Sequence, residues 1–140
     1  MKPLTGTGKI LLMDDEEDIR QTTGDVLKRL GYTVEFAADG SRAIDLYQEA
    51  REAGTPFDAV IMDLIVPGGM GGNEALGRLL AIDPNVKAIL SSGHVNHPIM
   101  AEFKKHGFSG VVTKPYRIHD LGDTLHAIIQ DRVSDAPLES

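Results

Sequence analysis

Cysteine is absent from the 140-residue sequence. That absence rules out a disulfide framework, thiolate metal ligands and a cysteine nucleophile, and it fits a reducing, cytoplasmic setting. Long apolar runs are missing as well. No stretch approaches the roughly 18 to 20 residues that a membrane span needs, and the first residues lack the apolar core of a signal peptide. A soluble protein with no membrane partner is expected. Basic charge is scarce, with 14 Lys and Arg against 21 Asp and Glu, for a formal net charge of -7. Such a surface repels phosphate backbones, so nucleic acid is not an expected direct partner. Repeats at solenoid periods and low-complexity tracts are also missing. What remains is a chain of 41% hydrophobic content whose length suits one compact domain.

Along that chain, short apolar runs alternate with longer stretches of helical period, the pattern of a parallel sheet flanked by helices in an α/β fold. The first run, Lys9 to Met13, is apolar after its lysine, like a strand buried on both faces, and the eight residues before it read as an unstructured arm. Asp14, Asp15 and Glu16 are expected to begin the first helix, whose stripe holds Ile19, Thr22, Thr23, Val26, Leu27 and Leu30 and whose end is set by Gly31. Strands are predicted at Thr33 to Phe36, Asp58 to Met62, Lys87 to Leu90 and Gly110 to Thr113. Asp39 is expected to cap a helix with Ala43, Leu46, Tyr47 and Ala50 on its apolar side. Further helices are predicted at Asn73 to Ile82 and Pro98 to His106, with a last one carrying Leu121, Leu125, Ile128 and Ile129 before a frayed tail from about Ser134.

On this scaffold Asp14, Asp15, Asp63, Ser91, Ser92 and Lys114 all fall just after the carboxyl ends of strands one, three, four and five. That rim is where open α/β sheets bind ligands. Three carboxylates with no Cys or His beside them form a hard oxygen site, suited to Mg²⁺ and poorly suited to zinc. Lys114 adds a fixed positive charge and a serine adds a hydroxyl, a set that suits phosphoryl transfer. A carboxylate attacks phosphorus to give an acyl phosphate, and Asp63, which precedes the glycine-rich PGGMGG, is the chosen acid.

The combination LLMDDEE, VIMDLIVPGGMGG, AILSSGH and VVTKPY resembles the receiver domain of two-component response regulators, of the CheY-like kind, over about residues 9 to 131. By analogy, the resemblance implies a flavodoxin-like doubly wound fold with strand order 2-1-3-4-5, an arm over 1-8 and a tail over 132-140. It also implies roles. Asp63 would take a phosphoryl group from a phosphohistidine on a sensor histidine kinase or its phosphotransfer domain, and Lys114 would contact that group. Asp15, Asp63 and the carbonyl of Ile65 would bind Mg²⁺, with Asp14 reaching it through water. Ser92 would be the switch hydroxyl, preferred over Ser91 because it lies 22 residues before Lys114, the family's separation. Beyond self-catalysed phosphotransfer and autodephosphorylation no enzyme activity is implied for this stretch.

Two departures stand out. Val111 occupies the place where the family often carries a Tyr or Phe that swings on phosphorylation. PGGMGG is one residue longer than the commonest pattern, which predicts a bulged loop and resembles receivers of hybrid sensor histidine kinases. A stand-alone receiver and a piece of such a kinase both remain open, as do the downstream partner and a phosphorylation-dependent homodimer. In the family, the positions two after the phosphoacceptor and two after the switch hydroxyl tune dephosphorylation; here they are Ile65 and His94, neither an acid or amide, so the resemblance implies a persistent phosphorylated state.

Each residue has a plainer explanation when taken singly. The acids at 14 to 16 suit a helix start, the serines and Lys114-Pro115 suit turns, and the glycines of 68 to 72 suit a tight loop. Convergence on one rim favours the functional reading, and Asp63 has the weakest plain explanation, since an acid ending a buried strand is costly unless paired. An aspartyl-phosphate hydrolase would need an acid beside Asp63, where Leu64 and Ile65 stand. A binding module that never takes phosphate is the third alternative. His94 and His97 lack a third ligand for a metal site.

Overall fold

The structure, a computed structural model, describes residues 6–93 and 98–134, with side chains described through residue 130. Strands β1 (Gly8–Met13), β2 (Tyr32–Ala37), β3 (Ala59–Asp63), β4 (Ala88–Ser92) and β5 (Gly110–Thr113) form one sheet in the order β2-β1-β3-β4-β5. Every pairing is parallel. Between and after them run α1 (Glu17–Arg29), α2 (Gly40–Glu52), α3 (Gly72–Ile82), α4 (Pro98–Ala101) and α5 (Ile118–Ser134). This is the doubly wound, flavodoxin-like α/β architecture expected from the sequence.

The central strands explain the layering. Ile10, Leu11, Leu12 and Met13 are completely buried, as are Val60, Ile61 and Met62, so both faces of the sheet need a helical cover. The pleat then sorts the side chains. Leu11, Met13, Val60, Met62 and Leu90 join Ala43, Tyr47, Leu76 and Leu79 of α2 and α3 in one core layer, while Ile10, Leu12, Ile61 and Ile89 join Leu27 of α1 and Leu121 and Leu125 of α5 in the other. Asp39 caps α2 as expected, its Oδ1 accepting from Arg42 N–H at 3.0 Å.

Several boundaries move. The acids at 14 to 16 do not begin α1, which starts at Glu17. Asp14 Oδ1 instead accepts from Glu16 N–H at 2.9 Å, folding the connection into a local side-chain turn that competes with helix. The leader is not unstructured as far as residue 8, because Gly8 already pairs with Tyr32 and Gly6 N–H donates to Leu30 O at 2.9 Å. Gly31 permits that close crossing, with φ +106 and no side chain to meet the carbonyl of Gly6. Helix α4 ends at Ala101 rather than His106. Its continuation tightens into three-residue turns, Lys105 N–H to Glu102 O, His106 N–H to Phe103 O and Gly107 N–H to Lys104 O, before Phe108 N–H closes back on Phe103 O. Helix α5 runs to Ser134, past the boundary expected at 131. His94, His97, the first five residues and the end of the tail lie outside the described residues.

Candidate functional site

Asp63, Ser91 and Ser92 are not residues after the strands but their last rungs. The main-chain ladder carries on through them, with Leu64 N–H donating to Ser91 O at 2.9 Å and Lys114 N–H to Ser92 O at 3.0 Å. Parallel pairing depends on backbone groups, so a polar side chain does not end it. Asp63 is thereby held at the carboxyl edge of a buried central strand and is 6% exposed.

The connection after β1 brings Asp14 and Asp15 to the same place. One carboxylate oxygen from each of Asp14, Asp15 and Asp63 lies within 4.8 Å of the others. Asp14 is buried and Asp15 is exposed at the mouth. Arg20, one turn into α1, donates from Nη1 to the carbonyl of Asp14 at 2.7 Å and so fixes the acidic connection from behind. Lys114, arriving from the end of β5, places Nζ 2.6 Å from Asp14 Oδ2 and 3.3 Å from Asp63 Oδ2.

Three acids against one lysine leave the pocket with an excess of negative charge. Burial above all, with help from Asp14 and Asp15, raises the Asp63 carboxyl from 3.8 to about 6 despite the opposing pull of Lys114. Burial works to lower the Lys114 ammonium, but its contacts with Asp14 and Asp63 outweigh that and raise it, so the lysine stays charged. Asp14 Oδ2 is inaccessible and makes no well-formed hydrogen bond, having the ammonium of Lys114 against it instead. Three carboxylates within 4.8 Å of one another, with no Cys or His donor in the cluster and one ammonium to balance them, suit a hard divalent cation such as Mg²⁺.

The two serines part company. Ala88 and Leu90 share Ser92's side of β4 and pack in the α2 and α3 layer, whereas Ile89 shares Ser91's side and packs toward α1 and α5. Ser91 is 1% exposed and hydrogen-bonds the hydroxyl of Tyr116. Burial, chiefly, pushes the Tyr116 phenol up to about 12, so it is neutral and available as a donor. Ile65 stands two residues past Asp63 in the following loop and is 45% exposed. That loop is folded rather than loose: Gly69 N–H donates to Val66 O at 3.0 Å and Gly40 N–H to Met70 O at 2.8 Å, tying it to the start of α2.

Sequence reasoning thus placed Asp14, Asp15, Asp63 and Lys114 in one pocket, and the structure brings those four together. It missed Arg20 and Tyr116. Arg20 is six residues from Asp14, the reach of one helical turn after a short connection, which is a usable signal. Tyr116 lay inside the quoted VVTKPY, yet its partner Ser91 is 25 residues away and no local pattern points to it.

The family of response regulator receiver domains matches residues 10–126. Sporulation initiation phosphotransferase F of Bacillus subtilis is 32% identical over 117 residues, which cover 84% of this chain and 90% of that protein. Sensor kinase CckA of Brucella abortus is 28% identical over 127 residues, 91% of this chain but only 13% of the kinase. The solved structure of chemotaxis protein CheY4 from Vibrio cholerae superposes with a TM-score of 0.77 at 30% identity, covering 88% of this chain and 99% of that one. A five-stranded parallel sheet in the order 2-1-3-4-5, an acidic pocket at its carboxyl edge and these matches agree: the chain belongs to the response regulator receiver domain family of two-component signalling.

Proposed function

We propose that Asp63 accepts a phosphoryl group from the phosphohistidine of a sensor histidine kinase or of a phosphotransfer domain. A carboxylate oxygen of Asp63 attacks phosphorus in line, the P–N bond breaks, and the histidine nitrogen leaves with the electron pair. The product is an acyl phosphate on Asp63 and a free imidazole on the donor. What carries this reading is the convergence of Asp14, Asp15 and Asp63 within 4.8 Å with Lys114 Nζ against two of them.

Asp63 supplies the nucleophile, and a carboxyl at about 6 is mostly ionised at neutral pH while more basic than an ordinary aspartate. Lys114 sits where the oxygens of the transferred group gather negative charge, and its ammonium balances them. Asp15, Asp63 and the carbonyl of Ile65 are the groups that would hold Mg²⁺, with Asp14 supporting them. Bound there, the ion neutralises the crowded carboxylates and the phosphoryl oxygens. Ser92, whose main chain is already bonded to Lys114, is the hydroxyl that would engage the phosphoryl group and pull the end of β4 with it. Val111, half-buried in β5, stands where the family often carries an aromatic, so any change that reaches a protein partner would do so without a swinging ring at that position. Among the described residues no helix is long and apolar enough to cross a membrane; we place the reaction in the cytoplasm, where a kinase's phosphohistidine would be met.

The test is intact mass after incubation with a small phosphodonor, with and without Mg²⁺, for the native chain and Asp63→Asn. One Mg²⁺-dependent phosphoryl group on the native chain and none on the variant is the expected result. Turnover of donor without retained label would point instead to a hydrolase, and no gain or turnover at all would leave Asp63 a binding or structural acid.

A further inference from the structure

We infer that Tyr116 is a positioning residue for phosphoryl transfer, holding Lys114 over Asp14 and Asp63 by tying the connection between β5 and α5 to Ser91. The inference rests on the phosphoacceptor reading of Asp63. Ser91 stands directly opposite Asp63 in the β3–β4 register and is 1% exposed. Its side chain points to the α1 and α5 side, where the Tyr116 hydroxyl is its hydrogen-bond partner. A buried hydroxyl is rarely left unsatisfied, so this pair is a fixed link rather than a passing contact.

The link works with a second one. Lys114 N–H donates to Ser92 O at 3.0 Å, so the three residues from Lys114 to Tyr116 are fastened at both ends to consecutive residues of β4. The ring of Tyr116 packs against the α1 and α5 core layer and shares a groove with Ile19, Val26 and Leu121. The lysine side chain leaves from this pinned segment and spans to Asp14 Oδ2 at 2.6 Å and Asp63 Oδ2 at 3.3 Å. A lysine has a flexible stem and a freely turning ammonium, so it does little to orient itself and depends on where its backbone is held. Loss of the tyrosine hydroxyl leaves the far end of the segment untied and lets that backbone drift, and misplacement of a charge at a reacting group slows transfer.

The experiment is the rate of Asp63 phosphorylation by acetyl phosphate in saturating Mg²⁺, followed by intact mass, for the native chain, Tyr116→Phe, Ser91→Ala and the double variant. The phosphoryl group moves from acetate oxygen to Asp63 and acetate leaves. Mg²⁺ affinity of the same four proteins is measured by titration calorimetry. We expect about tenfold slower transfer in each single variant, no further loss in the double one, and Mg²⁺ affinity no weaker than native, because an ammonium that drifts from Asp14 and Asp63 removes a competing cation and not a ligand of the ion. An unlabelled native chain would overturn the phosphoacceptor reading itself. A labelled native chain with undiminished Tyr116→Phe would overturn only this inference, and so would a parallel fall in rate and Mg²⁺ affinity, which means that Tyr116 supports the whole pocket. Should Tyr116→Phe fail to fold, Ser91→Ala alone decides by the same two readings.

Discussion

Replacing Asp63 with asparagine is predicted to stabilise the fold at neutral pH. The acid ends a buried strand, and burial first, then Asp14 and Asp15, raise its carboxyl from 3.8 to about 6 against the pull of Lys114. In the unfolded chain it titrates at its ordinary value. Between about pH 4 and pH 6 the native state therefore holds more protons than the unfolded state, so stability falls as pH rises through that window and levels off above it. At about 1.4 kcal/mol for each tenfold change in proton affinity, the rise corresponds to about 3 kcal/mol as an upper figure. Asp15 beside it is exposed, so solvent screens part of this, and about 2 kcal/mol is the expected net cost. Asparagine keeps the shape and carries no charge at any pH.

The measurement is urea unfolding of both proteins in metal-free buffer at several pH values between 4 and 8, analysed by linear extrapolation. The variant should exceed the native protein by about 2 kcal/mol above pH 6.5, and the gap should close toward pH 4. Equal stabilities at pH 7.5, or a gap that widens toward acid, would refute the idea that Asp63 is a charge held against its own burial.

Mg²⁺ should reverse the order. At about a hundred times its dissociation constant it should add about 2.7 kcal/mol to the native protein and much less to Asp63→Asn, read from the same unfolding curves. Asp39→Ala should cost about 1 kcal/mol of stability, because Arg42 N–H loses its cap at the start of α2, while Mg²⁺ affinity stays native. Gly71→Ala should destabilise by about 1–3 kcal/mol and weaken Mg²⁺ binding, since a methyl group there collides with the carbonyl of Leu64 and must push the loop beside Asp63; calorimetry and melting curves check both. Phosphorylated protein freed of donor should keep its label for minutes or longer, because Ile65 offers no group to orient an attacking water, and loss within seconds, timed by intact mass, would contradict this.

The sheet was legible because its central strands are apolar on both faces: KILLM and AVIM admit few other readings in a chain with helical stretches between them. The helix after Ser92 was not, since its stripe of apolar residues is consistent with a full helix while the main chain tightens into single turns that end in the bond from Phe108 N–H to Phe103 O. The leader was misread for a similar reason. Nothing in Gly6-Thr7-Gly8 is hydrophobic, and what fastens it is main-chain bonding to Leu30 and Tyr32, which leaves no mark on the sequence.

The pocket was more legible than these elements, and topology explains why. In a parallel sheet every strand runs the same way, so residues that each end a strand share one edge however far apart they are in sequence. Asp14 and Lys114 are 100 residues apart and 2.6 Å apart in space because each follows directly on its strand, β1 and β5, with only β3 and β4 between them. A rule about strand ends therefore finds them without any knowledge of contacts. Ser91 and Tyr116 escape that rule. Both lie on the same rim, yet whether they touch depends on which side of β4 the serine faces and on how the chain turns after Pro115, and a one-residue change in the end of β4 would exchange the roles of the two serines. The rim's charges are thus written in the order of the strands, while the hydroxyl that steadies Lys114 is written in the pleat.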